Sequence, residues 1–291
     1  MSENGNDKIY SMVSEKIIAA IESGGTAPWK KPWFADPNSM PRNLFTNKPY
    51  RGVNLLLLGS TDYVDQRYAT FKQVAENKGQ VKKGEKSNIV VFWNFKDNLL
   101  DDGISITGRR TAFMRYYHVF NITQVAGIDI PAVEPVVMNS GDRLEAAEKI
   151  VDGMPNPPKF KPGSDKAAYL PSLDRVDMPA FNSFECNEAY YATLFHELAH
   201  STAHKSRLDR DLNGSFGTNK YAKEELIAEI ASAMVCGHCG IDSTLDNSAA
   251  YVKGWLKAIS DDSKFVVTAS SAAQKAADYI LGKAREKGEE E

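Results

Sequence analysis

The chain has 291 residues, 42% apolar and 25% charged, with a formal net charge of −3. That is the composition of a soluble globular protein long enough for two domains of ordinary size, and it excludes a disordered chain. It is also far less acidic than a protein built to mimic DNA. No apolar run approaches the roughly 20 residues of a membrane span, and the start MSENGNDKIY lacks the basic and apolar segments of a signal peptide, so a cytoplasmic location is expected. Three cysteines, an odd number, make no disulfide framework.

Residues 8–25, KIYSMVSEKIIAAIESGG, set Ile9, Met12, Val13, Ile17, Ala20 and Ile21 at helical spacing before Gly24-Gly25, which predicts a helix with one core face. Three β-branched and aromatic runs follow, YRGVNLLLLGS, NIVVFWNF and AFMRYYHVFNIT. Bounded by Gly, Asn, Asp or Lys clusters, they predict strands. A mixed α/β domain over residues 1–130 is expected. It ends in IDIPAVEPVV, where Pro131 and Pro135 favour extended backbone. Residues 1–130 carry 17 Lys and Arg against 13 Asp and Glu, net +4, whereas residues 131–291 carry 18 against 25, net −7. The two halves should therefore meet different partners.

The loops of the first half interleave cations with rings. PWKKPW holds Trp29, Lys30, Lys31 and Trp33; KGQVKKGEKSN holds Lys82, Lys83 and Lys86; GRRTAFMRYY holds Arg109, Arg110 and Arg115. Cations neutralise phosphates while rings stack on unpaired bases, and neither contact reads sequence, so the pattern suits a single strand of nucleic acid.

In the second half, SGDRLEAAEKIV over residues 140–151 reads as a capped helix with Leu144, Ala147, Ile150 and Val151 inward. The Pro-broken stretch PNPPKFKPGSDKAAYLPSLDRVDMP predicts a small sheet. From Asn187 as N-cap, NEAYYATLFHELAHSTAH predicts one helix on which His196 and His200, four apart, stand on one face. Two imidazoles at that spacing can converge on one ion, zinc or another divalent metal, with Glu197 as general base. A third histidine ten residues after the first would fall at 206, which is Ser206, so the third ligand must come from elsewhere.

KYAKEELIAEIASAMVCGHCG predicts a further helix, its buried stripe formed by Leu226, Ile227, Ile230, Met234 and Val235. Glu225 and Glu229 are four apart on it, and Glu224 is expected to face away as a solvated charge. Cys236 and Cys239 close the helical pattern, where the dipole raises a thiol pKa, and only Cys186 is left to complete a zinc knuckle. The pair is read as structural. The run EELIAE resembles the Glu-x-x-Ala-Asp/Glu of metallopeptidases that take a glutamate ligand from a second helix. That resemblance implies Glu225 as ligand and Glu229 as the acid that orients a ligand histidine, although either can reach the ion.

The whole chain is similar to the ArdC-type antirestriction proteins of conjugative plasmids, whose N-terminal part is shared with plasmid primases of the TraC type. The residues that carry the likeness are PWKKPW, NKPYRGVN with Arg51, TFKQV, VKKGEKS, YYHVFNITQV, YYATLFHELAHST and HKSRLDR. Tyr68 stands where the family usually has Trp, and Ala203 where it usually has Gly. The resemblance implies an α+β protein of two domains. An N-terminal single-stranded-DNA-binding domain, 1–130, precedes a mostly helical zincin-like metallopeptidase domain with a small sheet, 131–291. It also implies a plasmid-encoded bacterial protein that protects incoming DNA from restriction. Arg51 joins the candidate DNA contacts, and Tyr221 is a candidate for oxyanion stabilisation by position. Three readings stand side by side: a protein that coats plasmid single strands, a DNA-tethered peptidase acting on a host protein, and a chain with a structural zinc. Glu197 speaks against the third, since a structural site has no use for a base.

Overall fold

The structure, a computed structural model, describes residues 5–24, 40–61, 63–99, 106–130, 138–212, 218–241 and 249–283. It is α+β, as expected. Helix α1 (Gly5–Gly24) buries Ile9, Val13, Ile17 and Ile21 along the face set by the sequence. A four-stranded sheet follows, in the order β1 (Arg42–Asn43), β2 (Arg67–Thr70), β5 (Ile106–Asn121), β4 (Asn88–Leu99). The long antiparallel pair β4 and β5 contains two of the three predicted strands and runs in register from Asn88↔Val119 to Asp97↔Arg110. Helix α3 (Phe71–Glu76) starts at a capping box between Thr70 and Gln73, and β3 (Gln80–Val81) pairs with β6 (Val125–Ala126).

The third predicted strand is a helix. LLLL lies in α2 (Val53–Gly59), every residue of which is buried. Leucine is among the best helix formers, and a short run covered on all sides leaves no period by which helix and strand could be told apart. Gly52 turns the chain into α2 at φ 55° and ψ −133°, a region that glycine alone enters readily. Asn54 then fixes the helix to the sheet. Its amide Nδ2 donates to the Val91 carbonyl at 2.8 Å and its Oδ1 accepts the Val91 N–H at 2.7 Å, which satisfies the outer edge of β4.

In the second half, α4 (Ser140–Gly153) is capped by Asn139 and Asp142, and a three-stranded sheet has the order β7 (Lys159–Pro162), β9 (Arg175–Met178), β8 (Ala168–Leu170). Helix α5 (Asn187–Ser201) has Cys186 at its N-cap, so Asn187 is its first helical residue and not the cap, and it ends before His204. Helices α6 (Asn219–Cys239), α7 (Ala249–Asp261) and α8 (Phe265–Ile280) complete the described chain. None of the described helices is long and apolar enough to cross a membrane.

One apolar cluster runs through both halves, taking in Ile17, Leu56 and Tyr68 from the first and Phe195, Ile230 and Trp255 from the second. Helix α8 ties the two together. Gln274 Oε1 accepts the Gly52 N–H at 3.0 Å, Asp278 pairs with Arg51, and near its start the Ser263 carbonyl accepts the Ser14 hydroxyl at 2.9 Å. The expected boundary at residues 130 and 131 adjoins 131–137, which lie outside the described residues.

Asn54→Leu keeps the branched shape of the side chain, though not its volume, and leaves the Val91 N–H and carbonyl without their Asn54 partners in a buried setting. Chemical denaturation should show a loss of about 1–3 kcal/mol. A variant as stable as the parent would mean that the Asn54 bridge contributes nothing.

Candidate metal centre

Helix α5 packs on α6 through Phe195, Leu198, Leu226 and Ile230, all buried, and the Ser232 hydroxyl on α6 donates to the Ala192 carbonyl on α5 at 3.0 Å. This packing sets HELAH against EELIAE. His196 Nε2 lies 3.1 Å from His200 Nε2, and Glu225 reaches each of them, at 3.6 Å and 3.7 Å. A tetrahedral ion with ligands at about 2.1 Å separates them by roughly 3.4 Å, so the three groups converge as they would around one ion. Among the described residues they are the group of histidine and carboxylate side chains able to hold a metal.

Each histidine has a carboxylate on its other nitrogen. Glu229 lies 3.6 Å from His196 Nδ1, and Glu224 lies 3.3 Å from His200 Nδ1. The Glu224 contact can hold the proton on His200 Nδ1 and leave Nε2 for a metal, whereas His196 Nδ1 has no hydrogen-bond partner and Glu229 acts on it as a nearby charge. Glu224 is thus not a solvated charge. It is buried, and Arg210 grips it with Nη2 at 2.6 Å and Nε at 3.2 Å. The expectation failed because the α6 stripe was read for apolar residues alone, whereas this side of the helix is covered by the chain that follows α5. There Arg210 also donates to the Thr202 hydroxyl at 2.7 Å and the Ala199 carbonyl at 3.0 Å.

Glu197 is buried, and its Oε2 accepts the Tyr169 N–H at 2.6 Å, which brings β8 against the cluster. Strand β8 is braced in turn by Arg207, whose fully buried guanidinium pairs with Asp174, while Asp174 accepts the Tyr169 hydroxyl at 2.9 Å. His204 sits in that brace, 3.9 Å from Asp174. Tyr221 gives a hydrogen bond to Glu225 and lines the same cleft of about 510 Å³, as do Lys166 and Lys220.

The electrostatics follow from these neighbours. Burial works against a charged His196, but Glu225, Glu229 and Glu197 outweigh it and raise the ring to about 8. Burial likewise pushes Glu225 and Glu224 up, and is overcome in Glu225 by His196 and His200 and in Glu224 by His200 and Arg210, so both carboxyls titrate below their ordinary value. The cluster carries buried negative charge that a cation would relieve.

Comparison with known proteins agrees with both halves. Residues 7–120 match the N-terminal domain of anti-restriction factor ArdC and residues 145–272 match a zincin-like metallopeptidase. The metal-free crystal structure of the antirestriction ArdC protein from plasmid R388 superposes with a TM-score of 0.77 at 34% identity, over 94% of this chain and 97% of that one. Its Mn(II)-bound form gives 0.76 at 34% identity, over 96% and 99%. The chain belongs to the ArdC-type antirestriction family. The Sinorhizobium fredii protein y4eC is 37% identical over 284 residues, which is 94% of this chain and 91% of that protein. An Escherichia coli DNA primase TraC is 38% identical over 288 residues, 94% of this chain but 20% of the primase, so the chain spans about a fifth of that relative.

The candidate DNA contacts of this ArdC-type protein are dispersed. Trp29, Lys30, Lys31 and Trp33 lie outside the described residues, and of Arg109 and Arg110 only the backbone, in β5, is described. Lys82, Lys83 and Lys86 are exposed between β3 and β4, with the Lys82 ammonium donating to the Thr123 carbonyl at 2.7 Å. Arg115 is exposed on β5 with its guanidinium 5.1 Å from the Phe113 ring centre, whereas Arg51 is paired with Asp278. Sequence reasoning missed the exposed rings Phe92, Phe95, Tyr116 and Tyr117 on β4 and β5, because alternation along a strand does not say which face is covered. Cys236 and Cys239 are buried, and burial pushes the Cys239 thiol up to about 12, in keeping with a structural role.

Glu224→Gln keeps the size of the side chain and removes its charge beside His200. Divalent-metal affinity, measured by competition with a chelator, should fall about 10–100-fold. An unchanged affinity would show that Glu224 does not orient the ring.

Proposed function

We propose that this antirestriction protein coats incoming plasmid single strands without sequence preference during conjugation, and that its second half is a divalent-metal peptidase site. What supports the reading is a division of labour: the exposed rings and cations lie on β4, β5 and the loop between β3 and β4, and none of them lines the metal cleft. Exposed Lys82, Lys83, Lys86 and Arg115 neutralise phosphates, with Arg109, Arg110 and the PWKKPW residues as further contacts, and rings stack on unpaired bases.

In the peptidase half, His196 and His200 through Nε2 and Glu225 through its carboxylate would hold the ion, zinc or another divalent metal. The Mn(II)-bound form of the R388 protein favours a divalent ion of this kind. Glu224 keeps the Nδ1 proton of His200 in place, and Glu229 places a negative charge 3.6 Å from His196 Nδ1. When bound, the ion supplies Lewis acidity, polarising a scissile carbonyl and acidifying water. Glu197 has Oε2 engaged by the Tyr169 N–H, so Oε1 is the atom that takes the proton from the attacking water and returns it to the leaving amine.

The purified protein should carry about one divalent ion per chain. Elemental analysis should show it lost in His196→Ala/His200→Ala, and weakened more by Glu225→Ala than by Glu229→Ala. Full occupancy in the double variant would remove the site, and the opposite ranking would exchange the two glutamates.

Plasmid transfer into a restricting host separates coating from proteolysis. Glu197→Gln removes the base and leaves the ligands, so it should keep its metal, its affinity for single strands and most of the protection. A variant that binds DNA normally yet gives no protection would replace coating by hydrolysis of a host protein.

A further inference from the structure

A second cleft, of about 730 Å³, opens beside β4 at the place where α2 and the segment before it meet the sheet. Its walls are aromatic. The Tyr50 ring lies 6.4 Å from Phe92, and Phe92 lies 5.8 Å from Tyr117, centre to centre. Tyr50 is buried as the floor, while Phe92 and Tyr117 are 43% and 37% exposed. Rings of that size left open on a sheet are a surface awaiting a partner.

Strand register shows what accompanies the rings. Directly opposed residues share a face of a sheet, and so do alternate residues of one strand. The pairs Phe92↔Arg115, Asn94↔Phe113 and Lys96↔Thr111 therefore put Phe92, Asn94, Lys96, Phe113, Arg115 and Tyr117 on one face. Rings and cations alternate along it, and Lys48 stands exposed at the rim of the cleft.

The charge of the lining decides between occupants. Lys48 lines the aromatic cleft, as does Arg51, whose charge is met by Asp278, and among its described lining residues there is no Asp or Glu. The metal cleft is lined by four carboxylates, Glu197, Asp211, Glu224 and Glu225, against two cations, Lys166 and Lys220. A polyanion is repelled by the second and accepted by the first.

We propose that the cleft between Tyr50, Phe92 and Tyr117 seats unstacked bases of single-stranded DNA, its backbone phosphates meeting Lys48 on one side and Arg115 and Lys96 on the other. The inference rests on the reading that the protein binds single strands, and it names where the bases go. Stacking on these rings is open to any base, because every base has an aromatic face, and closed to a duplex, whose bases already stack on one another. The floor is held still from the far half of the molecule. Tyr50 is followed at once by Arg51 and Gly52, which Asp278 and Gln274 of α8 grip.

The test uses the full chain and fluorescence anisotropy with labelled oligothymidylate, beside an abasic strand of equal length. Wild type should bind the abasic strand at least roughly tenfold more weakly, and Phe92→Ala/Tyr117→Ala should lose roughly tenfold or more on oligothymidylate while falling to the level of the abasic strand. Phe92→Tyr, which keeps a ring, should bind as wild type, and unchanged metal content in every variant reports an intact fold. Wild-type affinity in the double alanine variant, with normal binding by the parent, would overturn the cleft and leave single-strand binding standing. Failure of wild type to bind either strand would overturn both. A tryptophan at position 92, Phe92→Trp, should be quenched by oligothymidylate, and quenching by unfolded casein instead would give the cleft to protein and overturn the assignment.

Discussion

Three glutamates of one helix, Glu224, Glu225 and Glu229, press on the two histidines of another, and much of the second half is arranged to hold them there. Like charges so close and so poorly solvated repel, so positive charge entering between α5 and α6 favours their packing. Arg210 neutralises Glu224 from the side, and a proton on His196 answers Glu225 and Glu229. A divalent ion between the Nε2 atoms would do more than the proton does, and metal loading would then add to the stability of this half. The Arg207, Asp174 and Tyr169 brace serves the same end at a distance, because it fixes the strand whose N–H holds Glu197.

The two halves match separate family models yet share one apolar core, with α8 between them. Helix α8 packs on α6 on one side and reaches α1, α2 and the Arg51–Gly52 turn on the other. Removing either half would expose core residues such as Leu56 and Ile230, so they should unfold together rather than as beads on a string. The two clefts nonetheless stay apart, one largely apolar and free of described carboxylates, the other rich in them.

Features that depend on local spacing were legible in the sequence. The four-residue step from His196 to His200 is a geometric statement about a helix, and so is the step from Glu225 to Glu229. The α1 face and the small β7–β9 sheet were legible for the same reason. What failed depended on covering. LLLL reads as a strand until it is known to be buried on every side, and Glu224 reads as solvated until Arg210, fourteen positions earlier, is seen to cover it. The HKSRLDR run was visible as a family motif without a role. Its arginines take one each: Arg210 holds the partner of His200, and Arg207 holds the turn that carries Asp174. The exposed rings of β4 and β5 could not be separated from core aromatics, since Trp93, between Phe92 and Asn94, packs on the core while Phe92 does not.

Hydrogen exchange on the full chain, followed with oligothymidylate alone and with a divalent ion alone, bears most directly on the separation of the two surfaces. Oligothymidylate should slow exchange in residues 47–54 and 88–96 and leave residues 190–200 and 221–230 unaffected, and the ion should do the reverse. Protection of the histidine helix by the oligonucleotide, without change around Tyr50 and Phe92, would contradict it.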